Sequence, residues 1–214
     1  MYSKNKGVSL TVALLLAFVG LFFGIFIMQH VPFKKEIDAS QFHGAYLAEP
    51  KAIREFNLLG IDNKPFSNAQ LQGHWTIVFF GFTQCASVCP ITMAELSKMY
   101  RMLENKDVKN LPQVVLISID PDRDSLEKLE QYVHAFHPSF YAAKGDELDV
   151  QLLAREMGIT FEKVPNKNSV DPRAYDVQHS GAVLVFNPEG ELNALFTPPH
   201  SADLLVKDYV VLSS

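Results

Sequence analysis

The chain begins with a long apolar stretch that carries no charge. Residues Val8–Met28 contain no charged side chain, and a helix over them would be about 31 Å long at about 1.5 Å per residue. That length is enough to cross a bilayer core of about 30 Å, so the stretch predicts one transmembrane helix. The residues that follow, Gln29–Phe33, lack the small residues of a signal-peptide cleavage site. This favours an uncleaved anchor.

The charges on either side of this stretch give only a small bias in orientation. Lys4 and Lys6 precede it, whereas Lys34 and Lys35 follow it. We expect a cytoplasmic amino terminus, because long downstream domains are translocated largely regardless of charge. The predicted divisions are a cytoplasmic tip and transmembrane anchor at residues 1–30, a spacer at 31–52 and a soluble domain at 53–214.

From about Ile53 onward, the pattern alternates between strand-like and helix-like units. The apolar run Trp75–Phe82 predicts a central strand buried on both faces, Leu111–Asp120 predicts a second buried strand, and Gly181–Asn187 predicts another apolar strand. Glu55–Phe66 predicts an N-terminal hairpin. Further predicted elements are helices from Pro90, over 124–137, over 147–157 and from about Ser201, strands over 139–143 and 191–196, and a long irregular loop over 163–176. The order indicates an α/β domain with a mixed, mostly parallel central sheet flanked by helices.

Charge and cysteine content exclude two broad classes of protein. The 214 residues carry a net charge of -5, whereas nucleic-acid-binding proteins usually present a basic surface. The two cysteines, Cys85 and Cys89, lie four residues apart. Secreted domains stapled by disulfides carry more cysteines at wider spacing. The pair is therefore interpreted as a functional site.

The cysteine pair lies where a predicted buried strand is followed by a helix. A helix N-terminus offers free N–H groups and partial positive charge, both of which favour thiolate over thiol. With Cys85 in the loop and Cys89 in the first helical turn, both sulfurs face one point. Such a pair either exchanges with a disulfide or binds a soft metal ion. Copper(I) needs only two or three soft ligands, so one imidazole would complete a site.

Seven histidines are available as a third ligand. His134 and His137 lie three apart on a predicted helix without an acidic or sulfur partner, and we interpret them as surface residues. His179 differs, because it directly precedes the apolar strand 181–187 and follows the long predicted loop, and long loops in compact domains are usually functional. Position alone leaves His179 a candidate and no more.

Three segments resemble the signature blocks of the SCO/SenC family in order and spacing: GFTQCASVCP, ISIDPDRDSLEKLEQY and YDVQHSGAVLVFNPEG. The resemblance runs from about Phe56 to the C-terminus. It implies a thioredoxin-like fold and a copper ion bound by Cys85, Cys89 and His179. It also implies a bacterial inner-membrane anchor, a domain facing the periplasm, and a role in building the CuA centre of cytochrome c oxidase.

The partners implied by the resemblance are the oxidase subunit that carries the CuA site and a copper donor protein. The second block contains Asp120, Pro121, Arg123 and Asp124, which match the family's DPxRD motif and lie near the site in the family. Asp124 is also predicted to cap the following helix.

The family commonly has acidic residues where this chain has Ser87 and Gln178. Less negative charge near the site should lower the pKa values of the cysteines and weaken the attraction for a cation.

Other functions are compatible with the same residues. Cys85 and Cys89 would serve a thiol–disulfide oxidoreductase that reduces cysteines of a target protein, and dithiol exchange needs no histidine. A peroxide-reducing enzyme needs a cationic partner that the motif lacks. A purely stabilising disulfide would close too short a loop to gain much entropy. Met93, Met99 and Met102 are interpreted as core packing.

Overall fold

The protein is described here by a computed structural model, which gives the backbone of residues 5–30, 41–166, 170–171 and 174–214. The chain divides into two compact units, Met1–Glu36 and Ile37–Ser214. The expected tip at residues 1–4, the first part of the expected spacer (31–40) and part of the expected loop (167–169 and 172–173) lie outside the described residues.

The described residues of the first unit form one helix, α1 (Asn5–His30). The side chains described along it, residues 12–26, are all exposed. Among the described residues, no helix combines the length and the apolar character needed to cross a membrane. The membrane anchor stays a prediction.

The second unit alternates strands and helices, as its sequence pattern predicts. Its strands are β1 (Ala45–Lys51), β2 (Asn57–Gly60), β3 (Pro65–Ser67), β4 (Thr76–Gly81), β5 (Gln113–Ser118), β6 (Tyr141–Lys144), β7 (Phe161–Pro165), β8 (Tyr175–His179), β9 (Val183–Phe186) and β10 (Leu192–Phe196). Its helices are α2 (Val88–Asn105), α3 (Leu126–Phe136), α4 (Glu147–Glu156) and α5 (Ala202–Ser213), and a short 3-10 helix covers Asn68–Leu71.

Eight strands form the central sheet, in the order β1-β10-β9-β4-β5-β6-β2-β3. The expectation of a mostly parallel sheet is wrong. Only β4–β5 and β5–β6 pair in parallel, and the other five described pairings of this sheet are antiparallel. The physical reason is connectivity: α2 and α3 provide the two crossovers that parallel pairing needs, whereas the remaining strands join through other connections.

The core lies around β4 and β5, as their continuous apolar sequences predict. Every residue of β4 is buried, and only Gln113 of β5 is not. Helix α2 contributes Met93, Leu96 and Met99 to this core, and it contacts both α3 and α5. Met102, the third methionine interpreted as packing, is partly buried against the core.

Part of the expected spacer belongs to the domain. Strand β1 pairs antiparallel with β10, in the register Ala45 with Leu195. Just before it, the backbone N–H groups of His43 and Gly44 donate to the buried carboxylate of Asp208 on α5, at 2.8 and 3.0 Å. The sequence gives a weak signal here, because β1 is half exposed and contains a proline.

The expected irregular loop over 163–176 is also partly wrong. Strands β7 and β8 extend into it from both ends and pair antiparallel, with Phe161 opposite His179. They form a separate two-stranded sheet. We call this pair of strands the β7–β8 hairpin. Its residues lack the continuous apolar run that identifies a central strand, since Val177 is its only buried residue.

The topology brings three segments to one edge of the central sheet. Strands β4 and β5 run parallel, so the residues after Gly81 and after Ser118 emerge side by side. Strand β9 runs antiparallel to β4, with Val183 opposite Phe79, so the residues that lead into β9 arrive at the same edge. The cysteine loop, the segment after β5 and the end of β8 therefore meet.

Candidate metal site

The two cysteines occupy the junction between β4 and α2. Cys85 lies in the loop and is partly exposed, whereas Cys89 lies in the first turn of α2 and is fully buried. The backbone N–H of Cys89 donates to Cys85 Sγ at 3.4 Å. This is the arrangement that the sequence predicts for a pair of thiols at a helix N-terminus.

His179 reaches the cysteines from the end of β8. Its Nε2 lies 3.3 Å from Cys89 Sγ, and its Nδ1 lies 3.2 Å from the carbonyl oxygen of Ser180. A carbonyl only accepts, so Nδ1 carries the hydrogen and Nε2 faces the sulfur with its lone pair. The rings of Phe79 and Phe82 pack about the imidazole, with centroids 6.0 and 5.9 Å away.

The structure thus brings together all three residues that the sequence singles out. One ligand atom from each of Cys85, Cys89 and His179 lies within 4.8 Å of the other two. Over the described residues, no other group of three or more His, Cys, Asp or Glu side chains converges in this way. No acidic side chain is part of the group.

The pKa values of the two thiols are shifted in opposite directions. Donation from the Cys89 thiol, assisted by the backbone N–H groups of Cys89 and Ser87, lowers the pKa of Cys85 to about 4. The same interaction with Cys85, together with burial, raises the pKa of Cys89. At neutral pH the pair is therefore a Cys85 thiolate beside a Cys89 thiol.

This donor set suits a soft metal ion. Two sulfurs and one imidazole nitrogen match the preferences of copper(I) or zinc, and they do not suit hard cations such as magnesium. A structural zinc site would need a fourth protein ligand, and the described residues place none beside these three. The hydrogen bond from Nδ1 to Ser180 holds the imidazole in the tautomer that metal binding needs.

The remaining histidines lie elsewhere. His134 is exposed, as expected. The surface interpretation of His137 is wrong: its side chain is buried, with Nδ1 2.7 Å from Ser139 Oγ and its ring against Tyr100 and Phe140. His137 follows the last residue of α3, and its burial depends on which distant residues pack over it, so no local sequence pattern indicates it.

Asp124 does not cap α3 as expected. Ser125 is the cap, and its side chain accepts from the Lys128 N–H. Asp124 is instead buried and accepts from the hydroxyls of Thr83, at 2.5 Å, and of Ser118, at 2.6 Å. It therefore holds the loop that carries Cys85 against the end of β5.

Two residues near the site are missed by sequence reasoning. Gly81 leaves room for the buried thiol, because a Cβ there would lie 3.1 Å from Cys89 Sγ and 2.8 Å from Phe79 Cε1. Tyr175 donates to Asp120 at 2.6 Å, from the far end of the strand that carries His179. The alternation of Tyr175, Val177 and His179 along one strand face is the signal that would have indicated it.

The positions where the family is commonly acidic carry no charge in this chain. Ser87 precedes α2 and makes no side-chain capping bond. Gln178 is exposed and lies beside His179 in an open groove that Phe161 and Glu162 also line. Neither residue adds negative charge to the sulfur and nitrogen donors.

Fold and site together define a class: a thioredoxin-like α/β domain with a dithiol and an imidazole at a strand-to-helix junction. A family model described as SCO1/SenC matches residues 45–212. The chain belongs to the SCO1/SenC family.

Relatives of known name agree with this assignment. A Stutzerimonas stutzeri protein named for copper binding is 32% identical over 157 residues, covering 73% of this chain and 74% of the relative. The mouse mitochondrial protein SCO2 homolog is 31% identical over 153 residues, covering 72% of this chain and 59% of the relative. The chain thus spans less than two thirds of the mouse protein.

Solved structures show the same fold. Apo Sco1 from Thermus thermophilus superposes with a TM-score of 0.69 at 34% identity, covering 80% of this chain and 96% of that one. Arabidopsis thaliana ScoI, solved with copper bound, gives a TM-score of 0.67 at 28% identity, covering 75% and 96%. The domain therefore has the thioredoxin-like Sco fold.

Proposed function

We propose that this protein binds a single copper ion through Cys85, Cys89 and His179. The observation that carries the proposal is the convergence of two sulfurs and one imidazole nitrogen within 4.8 Å. A relative named for copper binding and a related structure solved with copper bound support the choice of metal. The protein would act as a metallochaperone, a binding and transfer protein rather than an enzyme.

The unequal protonation of the thiols suggests how the ion is taken up. Cys85 is already a thiolate and is partly exposed, so it is the first ligand that an incoming ion meets. Cys89 must then lose its proton, because the thiolate is the metal ligand. His179 Nε2 adds a neutral donor. Because two of the three protein ligands, Cys85 and His179, are partly exposed, a ligand of the acceptor protein can bind the ion before the first of them leaves.

The protein that receives the copper ion is proposed from the family resemblance. Copper would pass to the subunit of cytochrome c oxidase that carries the CuA centre, and a copper donor protein would supply it. The acidity of the chain, with a net charge of -5, argues against a nucleic-acid partner.

The expected location is the inner membrane of a bacterium, in a single-pass arrangement with the domain in the periplasm. Its support is the uncharged stretch Val8–Met28 in the sequence. Carbonate washing of membranes tests the anchor: an integral protein stays in the pellet, and release into the wash would contradict it.

A second function is favoured by the low pKa of Cys85. Its thiolate would attack one sulfur of a target disulfide, releasing the other as a thiolate and forming a mixed disulfide. Cys89 would then attack the Cys85 sulfur, leaving a Cys85–Cys89 disulfide and a fully reduced target. Two electrons pass from this protein to the target, and an external reductant would have to restore the dithiol.

Copper retention in histidine variants separates the two functions. The reduced full chain in detergent is loaded with copper(I) and titrated with a copper(I) chelator. His179→Ala should lose copper at least about tenfold more readily, while its rate of reducing a small disulfide stays unchanged. His134→Ala, which removes an exposed imidazole elsewhere, is the control. Equal retention by His179→Ala and the wild type would exclude the three-ligand site.

A further inference from the structure

The strand that carries His179 has no backbone pairing with the central sheet. Among the described residues, β8 pairs only with β7, and these two strands form a sheet of their own. The Ser180 N–H donates to the Thr160 carbonyl, which joins the two arms of the hairpin to each other and not to the central sheet. Apart from the short link of residues 180–182 into β9, side-chain contacts are therefore what can hold the hairpin relative to the cysteines.

Tyr175, at the other end of β8, makes the contacts that can do this. Its hydroxyl donates to Asp120 Oδ1 at 2.6 Å. Arg123 Nη1 donates to the Tyr175 carbonyl at 3.0 Å, and its guanidinium lies 4.0 Å from the centroid of the Tyr175 ring. Arg123 Nε also pairs with Asp120 Oδ2. We call Tyr175, Asp120 and Arg123 the tyrosine latch.

The latch contributes to stability because its acceptor, the Asp120 carboxylate, is buried. Asp120 is fully buried, and each of its carboxylate oxygens has one of these partners. Removing the Tyr175 hydroxyl would leave a buried, charged acceptor with one bond fewer, which costs more than the loss of a neutral bond.

A second contact fixes β7 to the same segment. Lys163 Nζ donates to Asp122 Oδ2 and to Glu147 Oε2, both at 2.8 Å. Asp122 lies between the two latch residues Asp120 and Arg123, so both strands of the hairpin are attached to the short stretch after β5.

That same stretch also holds the cysteine loop. Asp124 accepts from the Thr83 hydroxyl and backbone N–H and from the Ser118 hydroxyl. The segment 118–124 therefore contacts the loop of Cys85 on one side and the strand of His179 on the other. It connects the two halves of the metal site, which are far apart in the sequence.

Strand β8 couples the position of Tyr175 to that of His179, because the two residues lie at its two ends. The two residues are four apart on β8, so they lie on the same face of the strand, about 13 Å apart at about 3.3 Å per residue. Val177, between them on that face, is buried. A tilt of the hairpin that released Tyr175 would move the imidazole at the opposite end.

From this geometry, and resting on the proposed copper site, we infer that the tyrosine latch positions His179 for metal binding. Its three members are positioning residues, since none of them belongs to the cluster of donor atoms. The latch sets how closely His179 Nε2 approaches the two sulfurs, and with it how firmly the third ligand holds the ion.

The first test is a double-mutant cycle on copper(I) retention in the full chain in detergent. Tyr175→Phe should lower copper affinity about tenfold, as is typical for groups that orient a ligand. In a His179→Ala background, the same substitution should have no further effect, because the ligand it positions is gone. Tyr141→Phe is the matched control, since Tyr141 donates to Asp62 at the same 2.6 Å, away from the site.

The double-mutant cycle distinguishes failure of the latch from failure of the copper site. An equal loss in both backgrounds, or no loss beyond that of Tyr141→Phe, would overturn the latch while leaving the copper site standing. If the wild-type chain binds no copper(I), the proposed function fails and the latch is judged by a second measurement.

That measurement is amide hydrogen exchange of the copper-free chain. Tyr175→Phe should speed exchange in β7 and β8 about tenfold, as expected for the loss of a hydrogen bond to a buried charge, and should leave β4 and β5 unchanged. Unaltered exchange in the hairpin would overturn the latch whatever the copper result.

Discussion

At the scale of single residues, Cys85 and Cys89 differ in environment although their sulfurs share one site. Cys89 is fully buried, its thiol donates to the Cys85 sulfur, and its sulfur lies 3.3 Å from His179 Nε2. Cys85 is partly exposed and receives the N–H groups of the helix start. The two sulfurs therefore have different roles. The Cys85 sulfur is accessible to solvent as a thiolate, and the Cys89 sulfur forms the buried side of the site.

This asymmetry predicts the pH dependence of alkylation in the reduced, copper-free protein. The pKa of Cys85 is lowered to about 4, so its thiolate persists from neutral pH down to about pH 5 and is lost only as the pH falls through the pKa. Iodoacetamide should modify Cys85 at a nearly constant rate between pH 5 and pH 7, and Cys89 much more slowly. Mass spectrometry of the peptides gives both rates. A Cys85 rate that rises tenfold per pH unit across this range, like that of an ordinary thiol, would contradict the assignment.

At the scale of elements, the junction of β4 with the cysteine loop depends on hydroxyl groups. The Thr83 hydroxyl donates to buried Asp124. The Thr76 hydroxyl, at the start of β4, is buried and has no hydrogen-bond partner among the described residues. The same substitution at the two ends of the strand should therefore have opposite consequences.

Thr83→Val should lower the free energy of unfolding by about 1–3 kcal/mol, because it leaves a buried carboxylate without one donor. Thr76→Val should leave stability unchanged or raise it, because the hydroxyl that it removes makes no bond. Urea denaturation of both variants beside the wild type measures the difference. Similar losses in the two variants would show that the Thr83–Asp124 bond does not stabilise the loop.

The elements also show what the sequence can and cannot reveal. The continuous apolar runs around β4, β5 and β9 are buried for the reason that their pattern indicates, and the thiols lie where a strand is followed by a helix. The β7–β8 hairpin escaped prediction because its strands are short, mostly polar and half exposed. Their position on the domain depends on contacts such as that of Tyr175 with Asp120, which no local pattern contains.

The site also contains residues that the local sequence pattern identifies and residues that only the folded structure identifies. Cys85 and Cys89 are identified by spacing and context, whereas His179 is one of seven histidines until its strand is placed beside the cysteines. The burial of His137 and the use of Asp124 as an acceptor for the cysteine loop likewise depend on segments that meet only in the folded domain.

At the scale of the whole molecule, the domain begins before residue 53. Strand β1 extends the central sheet along β10, and Asp208 of α5 accepts from the backbone of His43 and Gly44 and lies 2.9 Å from the His43 ring. Without these residues, a buried carboxylate would lose its partners and β10 would become an edge strand.

Two fragments test this boundary. A fragment of residues 53–214 should melt below one of residues 37–214, by about 4–8 °C for a loss of about 2 kcal/mol. Calorimetry of the two reduced, copper-free fragments measures the difference. Equal melting temperatures would mean that the segment 41–52 does not stabilise the domain. The boundary at residue 53, predicted from the sequence, would then be correct.

The proposed site joins one imidazole and two sulfurs around a copper ion. X-ray absorption spectroscopy of the reduced chain loaded with one equivalent of copper(I) measures these ligands. We expect a coordination shell of two sulfurs and one nitrogen, and loss of the nitrogen in His179→Ala but not in His134→Ala. A shell of sulfur alone in the wild-type protein, or an unchanged shell in His179→Ala, would contradict it.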